Sequence, residues 1–381
     1  MILFSQFFNY KYFPVSSEDI FTKKGKIFAV WKYTFKHLIS EETIMFENTT
    51  IQCLLQAFCI EEPFHYEVIR FSKDKDILIT CTTTNYKLLI RFYRDPFTTL
   101  EGLQMQGEFC HALIENDIPV PRRFKTNDRR YYLPAHSFEI PFPITVEEWM
   151  PGKEVADEEI NKSLLHTLGS LLGKTHAISE KHHIHFDYGT YWGMFGGNTS
   201  DAPGIYDDIE LESNLLKDSL KDAEVDQTLV NEVFTLFYKK RKKLQMVWNY
   251  LPKWAVQGDF SPNNILLDDS DVFESLIDFN IAGDEVFINH LAGEGIFLAY
   301  ELMGDDKDDC FYEFLYAYMK ERPLSRLEMK TLPLIIQVVR PFRFRRTQKI
   351  IKLVREKQFT EVERQLSIML NLLHYEKEGG I

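Results

Sequence analysis

The spacing of apolar residues in the first half of the chain is typical of strands rather than helices. After a predicted helix that begins near Asn48, apolar and polar residues alternate over several short segments. These segments predict strands over 66–71, 77–81, 86–93, 130–133 and 144–149. One helix is predicted over 100–115, and the two prolines of 118–121 end it. We therefore expect a small lobe built on an antiparallel sheet.

The second half of the chain follows the 3.6-residue period of helices. Leucines over 164–172 predict an amphipathic helix, in which Gly169 and Gly173 allow another element to pack closely. Further helices are predicted over 209–221, 225–251, 285–303 and most of 308–374, and a long loop over 186–206. The Met-Pro-Gly of 150–152 separates the two patterns. The expected fold class is α+β with two lobes: an N-terminal extension over 1–45, a small lobe over 46–150 and a larger helical lobe over 151–381.

Charge and composition narrow the classes of partner. Charged residues make up 27% of the 381 residues and hydrophobic residues 45%, which is ordinary for a globular protein. The net charge of −13 argues against nonspecific nucleic-acid binding, which needs a basic surface. The same charge suits a cationic partner, although acidic surfaces also serve solubility.

The chain shows no sign of a membrane or secretory context. No window approaches the length of uncharged apolar sequence that a membrane span requires, and the first residues lack the pattern of a signal peptide. Five cysteines without a Cys-x-x-Cys pair argue against a disulfide framework and a cysteine zinc site. The cytoplasm is therefore the expected location.

A short polar segment between apolar runs carries the candidate chemistry. The segment reads Gln257-Gly-Asp-Phe-Ser-Pro-Asn-Asn264, and a later apolar run ends at Asp278. Asn264 follows Asp259 by five positions and Asp278 follows Asn264 by fourteen, the spacing of a kinase catalytic loop and its metal-binding aspartate. Phosphoryl transfer needs a carboxylate that orients the attacking hydroxyl and hard oxygen ligands for Mg²⁺. The spacing predicts Asp259 for the first task, and Asn264 and Asp278 for the second.

These motifs resemble the aminoglycoside phosphotransferase/choline kinase-like family. The resemblance rests on 257–264 and on Ile-Asp-Phe-Asn-Ile-Ala-Gly-Asp at 277–284. The family's usual loop is His-Gly-Asp-x-x-x-x-Asn followed by Asp-x-[Asp/Glu/Gly], so this chain departs from it at Gln257 and Asn280. The resemblance implies a protein-kinase-like two-lobed fold. It also implies transfer of the γ-phosphoryl group of ATP, with Mg²⁺, to a hydroxyl of a small molecule.

The resemblance also implies a nucleotide site in the small lobe. Arg91 resembles the family's strand Lys or Arg that contacts the phosphates, and Glu108 resembles the helix glutamate that pairs with it. The segment Glu148-Trp149-Met150 resembles the hinge, where adenine meets the main chain. The segment 72–76 would cover the nucleotide, although it contains no glycine.

Other functions and features stay open. A nucleotide-binding module without catalysis is one alternative, and a protein kinase is another, although the chain lacks Gly-x-Gly-x-x-Gly and Ala-Pro-Glu segments. Acidic residues over 207–212 and 305–309 indicate either a solvated face or recognition of an amine-bearing acceptor. The basic and apolar residues of 340–352 indicate either an amphipathic helix with a basic face or an anion site. The sequence does not identify the acceptor or the oligomeric state.

Overall fold

The computed structural model describes residues 46–72, 76–95, 98–190, 193–195 and 208–374. The predicted extension over 1–45 and most of the predicted loop over 186–206 lie outside the described residues. The chain divides into two compact units, one ending at Glu61 and the other beginning at Glu62. In the first unit, helix α1 (Asn48–Ala57) buries three apolar side chains at helical spacing, those of Ile51, Leu54 and Leu55.

The small lobe of the second unit is a four-stranded antiparallel sheet in the order β1-β2-β3-β4. Its elements are β1 (Phe64–Phe71), β2 (Asp76–Thr83), β3 (Lys87–Tyr93), helix α2 (Leu100–Ile114) and β4 (Ile144–Glu148). Alternation along β3 buries Leu88, Ile90 and Phe92 on one face. The other face carries Arg91, which pairs in register with Leu78 of β2 and Thr145 of β4.

The strand predicted over 130–133 is wrong. In this segment Leu133 meets the sheet through one isolated antiparallel bridge to Ile144. A tight turn precedes it, in which Thr126 N–H donates to Arg130 O at 2.8 Å. The ring of Tyr131 then packs against α2, where a Cβ on Gly107 would come within 2.2 Å of it. The apolar alternation here therefore reflects a ring seated on a helix rather than a strand.

The large lobe is mainly helical, as predicted. Its helices are α3 (Lys162–Lys181), α4 (Asp208–Leu220), α5 (Gln227–Val247), α6 (Phe287–Ile296), α7 (Asp308–Glu321), α8 (Arg326–Val339), α9 (Phe344–Arg355) and α10 (Phe359–His374). A π-helical segment, Phe297–Met303, continues α6. The close approach predicted on α3 is confirmed, because a Cβ on Gly169 would lie 2.3 Å from Phe314 O of α7. No helix of the described residues is long and apolar enough to cross a membrane.

Five short strands hold the polar segment in place. They are β5 (Lys153–Glu154), β6 (Lys253–Val256), β7 (Ile265–Leu267), β8 (Phe273–Leu276) and β9 (Gly283–Val286). They pair antiparallel as β5-β7-β8 and β6-β9. The loop over 257–264 connects β6 to β7, and Asp278 lies between β8 and β9. Both loops therefore begin and end on hydrogen-bonded strands, which fixes their positions.

Candidate functional site

Two neighbouring loops bring the predicted catalytic and metal-binding residues together. Ile277 N–H donates to Asn264 O at 2.9 Å, which ties the segment carrying Asp278 to the first loop. Asn264 Nδ2 donates to Asp259 O at 3.1 Å. Asp259, Asn264 and Asp278 therefore belong to one hydrogen-bonded frame, as their spacing predicts.

The side chain of Gln257 is the centre of this frame. It is 1% exposed, and its Oε1 accepts from Asp259 N–H at 2.6 Å. Its Nε2 donates to Ile277 O at 3.1 Å and to Asp278 O at 2.8 Å. One buried amide thus satisfies three main-chain groups on both loops, and such groups are costly to leave unpaired.

Two residues of the frame adopt left-handed backbone conformations. Gly258 has φ +90°, and a Cβ there would lie 2.8 Å from Ile281 O, so the residue before Asp259 has no room for a side chain. Asp278 has φ +59°, which is uncommon for a residue with a side chain. Strained conformations of this kind cluster at functional sites, where the surrounding structure enforces them.

Asn264 and Asp278 offer oxygen donors that suit Mg²⁺. Asn264 Nδ2 donates to Asp259 O and to Ser261 Oγ at 3.3 Å, and Asn264 Oδ1 accepts from Asn263 Nδ2 at 3.0 Å, which leaves this oxygen a second lone pair for a metal ion. The side chain of Asp278 is 37% exposed. Mg²⁺ is commonly bound by one or two carboxylates together with substrate phosphates, so this donor set fits it. Within the described residues, no group of three or more His, Cys, Asp and Glu side chains is placed to hold a metal ion.

The environment of Asp259 disfavours its charged form. Burial raises the pKa of Asp259 to about 6, the carboxylate of Glu294 adds to the rise, and hydrogen bonding to Ser261 opposes it. The Ser261 N–H donates to Asp259 Oδ1 at 3.0 Å. Asp259 is therefore ionised at neutral pH, with a pKa close to the range in which a proton acceptor is most effective.

A chain of buried polar side chains supports the catalytic loop from behind. Glu294 Oε1 of α6 accepts from Phe260 N–H at 3.2 Å and lies 3.2 Å from His290 Nε2. His290 Nδ1 and His176 Nε2 are 2.9 Å apart, and His176 Nδ1 lies 2.9 Å from the Tyr318 hydroxyl. Burial lowers the pKa of His176 well below its usual value, so this imidazole stays neutral. This series of polar side chains connects the loop over 257–264 to helices α3 and α7.

Arg91 lies between two carboxylates. It is 5% exposed, and its Nη1 lies 2.9 Å from Asp76 Oδ2 at the start of β2. Its Nη2 lies 3.5 Å from Asp278 Oδ1. Burial opposes the charge, but Asp278 and the other nearby acidic groups outweigh it and raise the pKa of Arg91. Arg91 therefore stays a cation beside Asp278, the predicted metal ligand, as the predicted role of Arg91 requires.

The structure does not bring Glu108 to Arg91. Glu108 is on the exposed side of α2 and accepts from Gln104 Nε2 at 3.0 Å. The α2 side chain that faces the site is Gln106, which is 3% exposed. Its Nε2 donates to Asn280 O at 3.2 Å, and its Oε1 accepts from Arg123 Nη1 at 3.0 Å. The predicted pair of Glu108 with Arg91 is absent between these described residues, and a nucleotide-binding role for Glu108 stays a prediction.

The predicted hinge leaves the sheet directly. Glu148 ends β4 opposite Leu88. Trp149 N–H donates to Lys87 O at 2.8 Å, and Lys87 Nζ lies 4.4 Å from the centre of the Trp149 ring. Met150 follows, at the start of the connection to the large lobe. The contact of adenine with Glu148, Trp149 and Met150 stays a prediction.

A model of the phosphotransferase enzyme family (APH) matches residues 78–323. The chain belongs to this family. It is a phosphotransferase of small molecules, as the catalytic-loop motifs predicted. A search of curated proteins found no match.

Solved structures of phosphotransferases share the fold of this family member. A microcompartment-associated aminopropanol kinase is 14% identical, with 86% of this chain and 97% of that chain covered and a TM-score of 0.50. An aminoglycoside phosphotransferase from Alicyclobacillus acidocaldarius subsp. acidocaldarius is 13% identical, with 81% and 92% covered and a TM-score of 0.52. The predicted protein-kinase-like fold is thereby confirmed.

At the two positions where this chain departs from the usual phosphotransferase motif, the residues present form hydrogen bonds within the site. Gln257 occupies the position of the usual histidine and connects the two loops through its amide. Asn280 occupies the second position of the Asp-x-[Asp/Glu/Gly] motif, and its Nδ2 donates to Asp278 Oδ1. Asn280 Oδ1 also lies 3.4 Å from the Tyr93 hydroxyl on β3. This phosphotransferase therefore keeps the loop connections of the motif with different polar side chains.

Three residues at the site were missed by sequence reasoning. Asp76 was assigned to the loop that covers the nucleotide, although an acidic residue directly before an apolar strand could have suggested a buried partner for Arg91. Gln106 gave no signal beyond its helical period. Glu294 is a charged residue in the predicted helix over 285–303, and that is the one clue to its burial.

Proposed function

We propose that the chain transfers the γ-phosphoryl group of ATP to a hydroxyl group of a small molecule in a Mg²⁺-dependent reaction. The observation that carries this proposal is the single frame in which Gln257 and Asn264 hold Asp259 beside the segment of Asp278. A carboxylate for the hydroxyl and oxygen donors for a metal ion are thereby placed side by side. That is the combination on which phosphoryl transfer depends.

Asp259 acts on the acceptor in this proposal. Its carboxylate accepts a hydrogen bond from the acceptor hydroxyl and orients the oxygen toward the γ-phosphorus. The new oxygen–phosphorus bond forms as the bond to the departing ADP breaks, and the hydroxyl proton passes to Asp259. Mg²⁺ held by Asn264 and Asp278 would supply charge neutralisation at the phosphates.

The small lobe binds the donor. Arg91 presents a buried guanidinium at the Asp278 side of the site, where it binds the phosphates. Glu148, Trp149 and Met150 receive the adenine, and Glu108 is kept as a candidate that would pair with Arg91 after a movement of α2 and so help to position the triphosphate. In this assignment 46–150 is the nucleotide-binding lobe, 151–381 carries the acceptor site, and 1–45 is an extension.

The acceptor class is an amine-bearing alcohol in the first instance. The two structures described above are, by name, an aminopropanol kinase and an aminoglycoside phosphotransferase. The acidic net charge of −13 would favour the approach of such cations.

An acceptor screen tests the proposal. ADP release from Mg-ATP is measured with panels of amino alcohols, aminoglycosides, sugars and peptides, for the full chain and for Asp259→Asn. We expect one small-molecule class to stimulate ADP release, and Asp259→Asn to lose the stimulated rate while still binding Mg-ATP. The exposed Asp269→Asn, which makes the same chemical change outside the site, should keep full turnover. Full turnover by Asp259→Asn, or no stimulation by any acceptor class, would contradict the proposal.

A further inference from the structure

A polar cavity lies in the large lobe, at the beginning of helix α9 and apart from the candidate catalytic site. It has a volume of about 230 Å³ and opens between the π-helical segment that follows α6 and the first turn of α9. Its charged lining consists of Arg343, Arg345, Arg346 and Lys349 against Glu301 and Asp305. With four cations and two carboxylates the lining of this cavity is basic, whereas the chain as a whole has a net negative charge.

The two most buried cations of this cavity share a single carboxylate oxygen. Arg343 Nη2 and Arg346 Nη2 both lie 2.6 Å from Asp305 Oδ1. The side chain of Arg346 is 2% exposed and that of Arg343 is 10% exposed. Buried charges normally each have a partner, because an unpaired buried charge is strongly destabilising. Among the described residues, Asp305 is the one carboxylate that forms an ion pair with either guanidinium group, and Glu301 attracts both from the wall of the cavity.

Arg343 carries the clearest sign of a missing anion. Its Nε and Nη1 are buried and have no hydrogen-bond partner within the part of the chain that the structure describes. Buried polar atoms without a partner are rare in folded proteins and call for an explanation. Arg343 lines the cavity, so an oxyanion in it would provide acceptors for these atoms.

The other lining cations are bound at the edge of the cavity. Arg345 Nη2 lies 3.2 Å from Asp157 Oδ2, and Arg345 Nη1 donates to Glu301 O at 2.7 Å. Lys349 Nζ lies 3.9 Å from Glu361 Oε1. These contacts hold the two side chains at the rim, where they can contribute a second layer of positive potential.

Burial disfavours the charged forms of the groups around the cavity. Burial lowers the pKa of Arg343, and Arg340 and Arg345 add to this effect, whereas Asp305 and Glu301 oppose it. Burial and the nearby Arg343 lower the pKa of Arg346 to about 10, and Asp305 opposes them. Burial raises the pKa of Glu301, and the three neighbouring arginines oppose the rise.

The backbone adds to the positive potential. Arg343 is the N-cap of α9, so the positive end of this twelve-residue helix lies at the cavity, where Arg345 N–H donates to Glu301 Oε1 at 3.3 Å. Helix N-termini of this kind bind phosphate and other anions, particularly together with arginine side chains.

We propose that this cavity binds the phosphate group of a small molecule. A tetrahedral phosphate accepts hydrogen bonds from more directions at once than a planar carboxylate does, which suits the unpartnered Nε and Nη1 of Arg343 and the neighbouring guanidinium of Arg346. The proposal does not depend on the reaction proposed above, because none of the lining residues belongs to the catalytic frame.

Calorimetry and thermal unfolding test this proposal with inorganic phosphate and glycerol phosphate as probes. The full chain is titrated at constant ionic strength, with sodium chloride as the reference. We expect saturable binding and a rise in the unfolding midpoint that follows the phosphate concentration. Glycerol phosphate carries the same group on a small molecule, and the tighter of the two probes identifies the source of the phosphate.

Matched variants locate the binding site. Arg343→Met should weaken phosphate binding by about tenfold to a hundredfold, as expected for the loss of charged hydrogen bonds. Lys349→Met changes a half-exposed rim residue, so this variant should fold and keeps the test valid if Arg343→Met does not. It should weaken phosphate binding severalfold.

Two controls separate this cavity from other sites. Lys352→Met removes a positive charge from the exposed part of the same helix, and Arg91→Met removes the cation of the nucleotide site. Both should leave cavity binding of phosphate intact. No phosphate-dependent stabilisation of the full chain, or unchanged binding in both Arg343→Met and Lys349→Met, would overturn the proposal.

Discussion

Replacing Asp259 with asparagine should stabilise the protein at neutral pH. The variant keeps an oxygen that can accept from Ser261 N–H but removes a charge that its surroundings disfavour. The pKa of Asp259 rises from the usual 3.8 to about 6 because of burial and the nearby carboxylate of Glu294. A rise of this size corresponds to about 3 kcal/mol of folding free energy at pH values above both pKa values. That is an upper limit, because Asp259 is half-buried and retains some contact with water.

The pH dependence follows from the direction of this shift. Below about pH 4 the carboxyl is protonated in both the folded and the unfolded chain, so wild type and variant should be equally stable. As the pH rises through the folded pKa of about 6, wild type loses up to about 3 kcal/mol relative to Asp259→Asn. An unfolding entropy of about 2.1 cal/mol/K per residue over a unit of about 300 residues converts this into a midpoint difference of roughly 5 °C.

The assay is thermal unfolding of wild type and Asp259→Asn across the pH range, without nucleotide or metal. Asp269→Asn is the matched control: this carboxylate is exposed, and its replacement should change stability by less than about 0.5 kcal/mol. An Asp259→Asn variant that is less stable than wild type at pH 8 would refute the reasoning, as would a difference that does not shrink toward pH 4.

Three further predictions concern the residues around the site. Gln257→Ala should lower the free energy of unfolding in urea by about 2–4 kcal/mol, because three hydrogen bonds are lost. Gln257→His should retain activity within about tenfold. Equal stability of Gln257→Ala and wild type would contradict the hydrogen-bonded frame. Gln106→Ala should lower kcat/KM for ATP by about tenfold and Glu108→Ala by less than about twofold, and the reverse order in steady-state kinetics would restore Glu108 as the partner of Arg91. Asp76→Asn should raise KM for ATP by about tenfold and lower the thermal midpoint, since it weakens a buried ion pair of Arg91, and an unchanged KM would show that Asp76 does not position Arg91.

The catalytic frame was predictable because its signal is local. Asp259 and Asn264 lie in one loop, and the run that ends at Asp278 follows within one hairpin. Their spacing therefore reflects the geometry of a single short structure, which a pattern of residue types can represent. The lobe architecture was predictable for a similar reason, since strand and helix periods change at 150–152.

The partners of Arg91 were less accessible from sequence. Asp76 reaches Arg91 through the pairing of β2 with β3, and the register of two strands is set by the packing of the whole sheet. On α2, Gln106 and Glu108 are two positions apart and so differ by about 200° around the helix axis. A resemblance that places the helix correctly therefore does not decide which of these two residues faces the site.

The residue pattern within one segment also fails to predict its structure where contacts with other parts of the fold determine it. The alternation over 130–133 has the period of a strand, but a turn at Thr126 and the groove at Gly107 direct Tyr131 onto a helix. Of the basic and apolar residues of 340–352, those from Phe344 onward form the amphipathic helix α9, and 340–343 form the turn that precedes it. Their periodicity could not show that Arg343 and Arg346 point at one carboxylate, because Asp305 lies in a distant part of the sequence.

The ion pair of Arg91 with Asp278, in which Nη2 and Oδ1 are 3.5 Å apart, connects the sheet of the small lobe to the large lobe. A cation at Asp278 and a phosphate at Arg91 would each take one member of this pair. The binding of either ligand therefore breaks the attraction between Arg91 and Asp278, so the other ligand no longer has to break it. Such coupling is reciprocal, so metal ion and nucleotide should each increase the affinity for the other. Nucleotide affinity measured at increasing Mg²⁺ would show this cooperativity, and its persistence in Arg91→Met would assign it to direct contact between the two ligands.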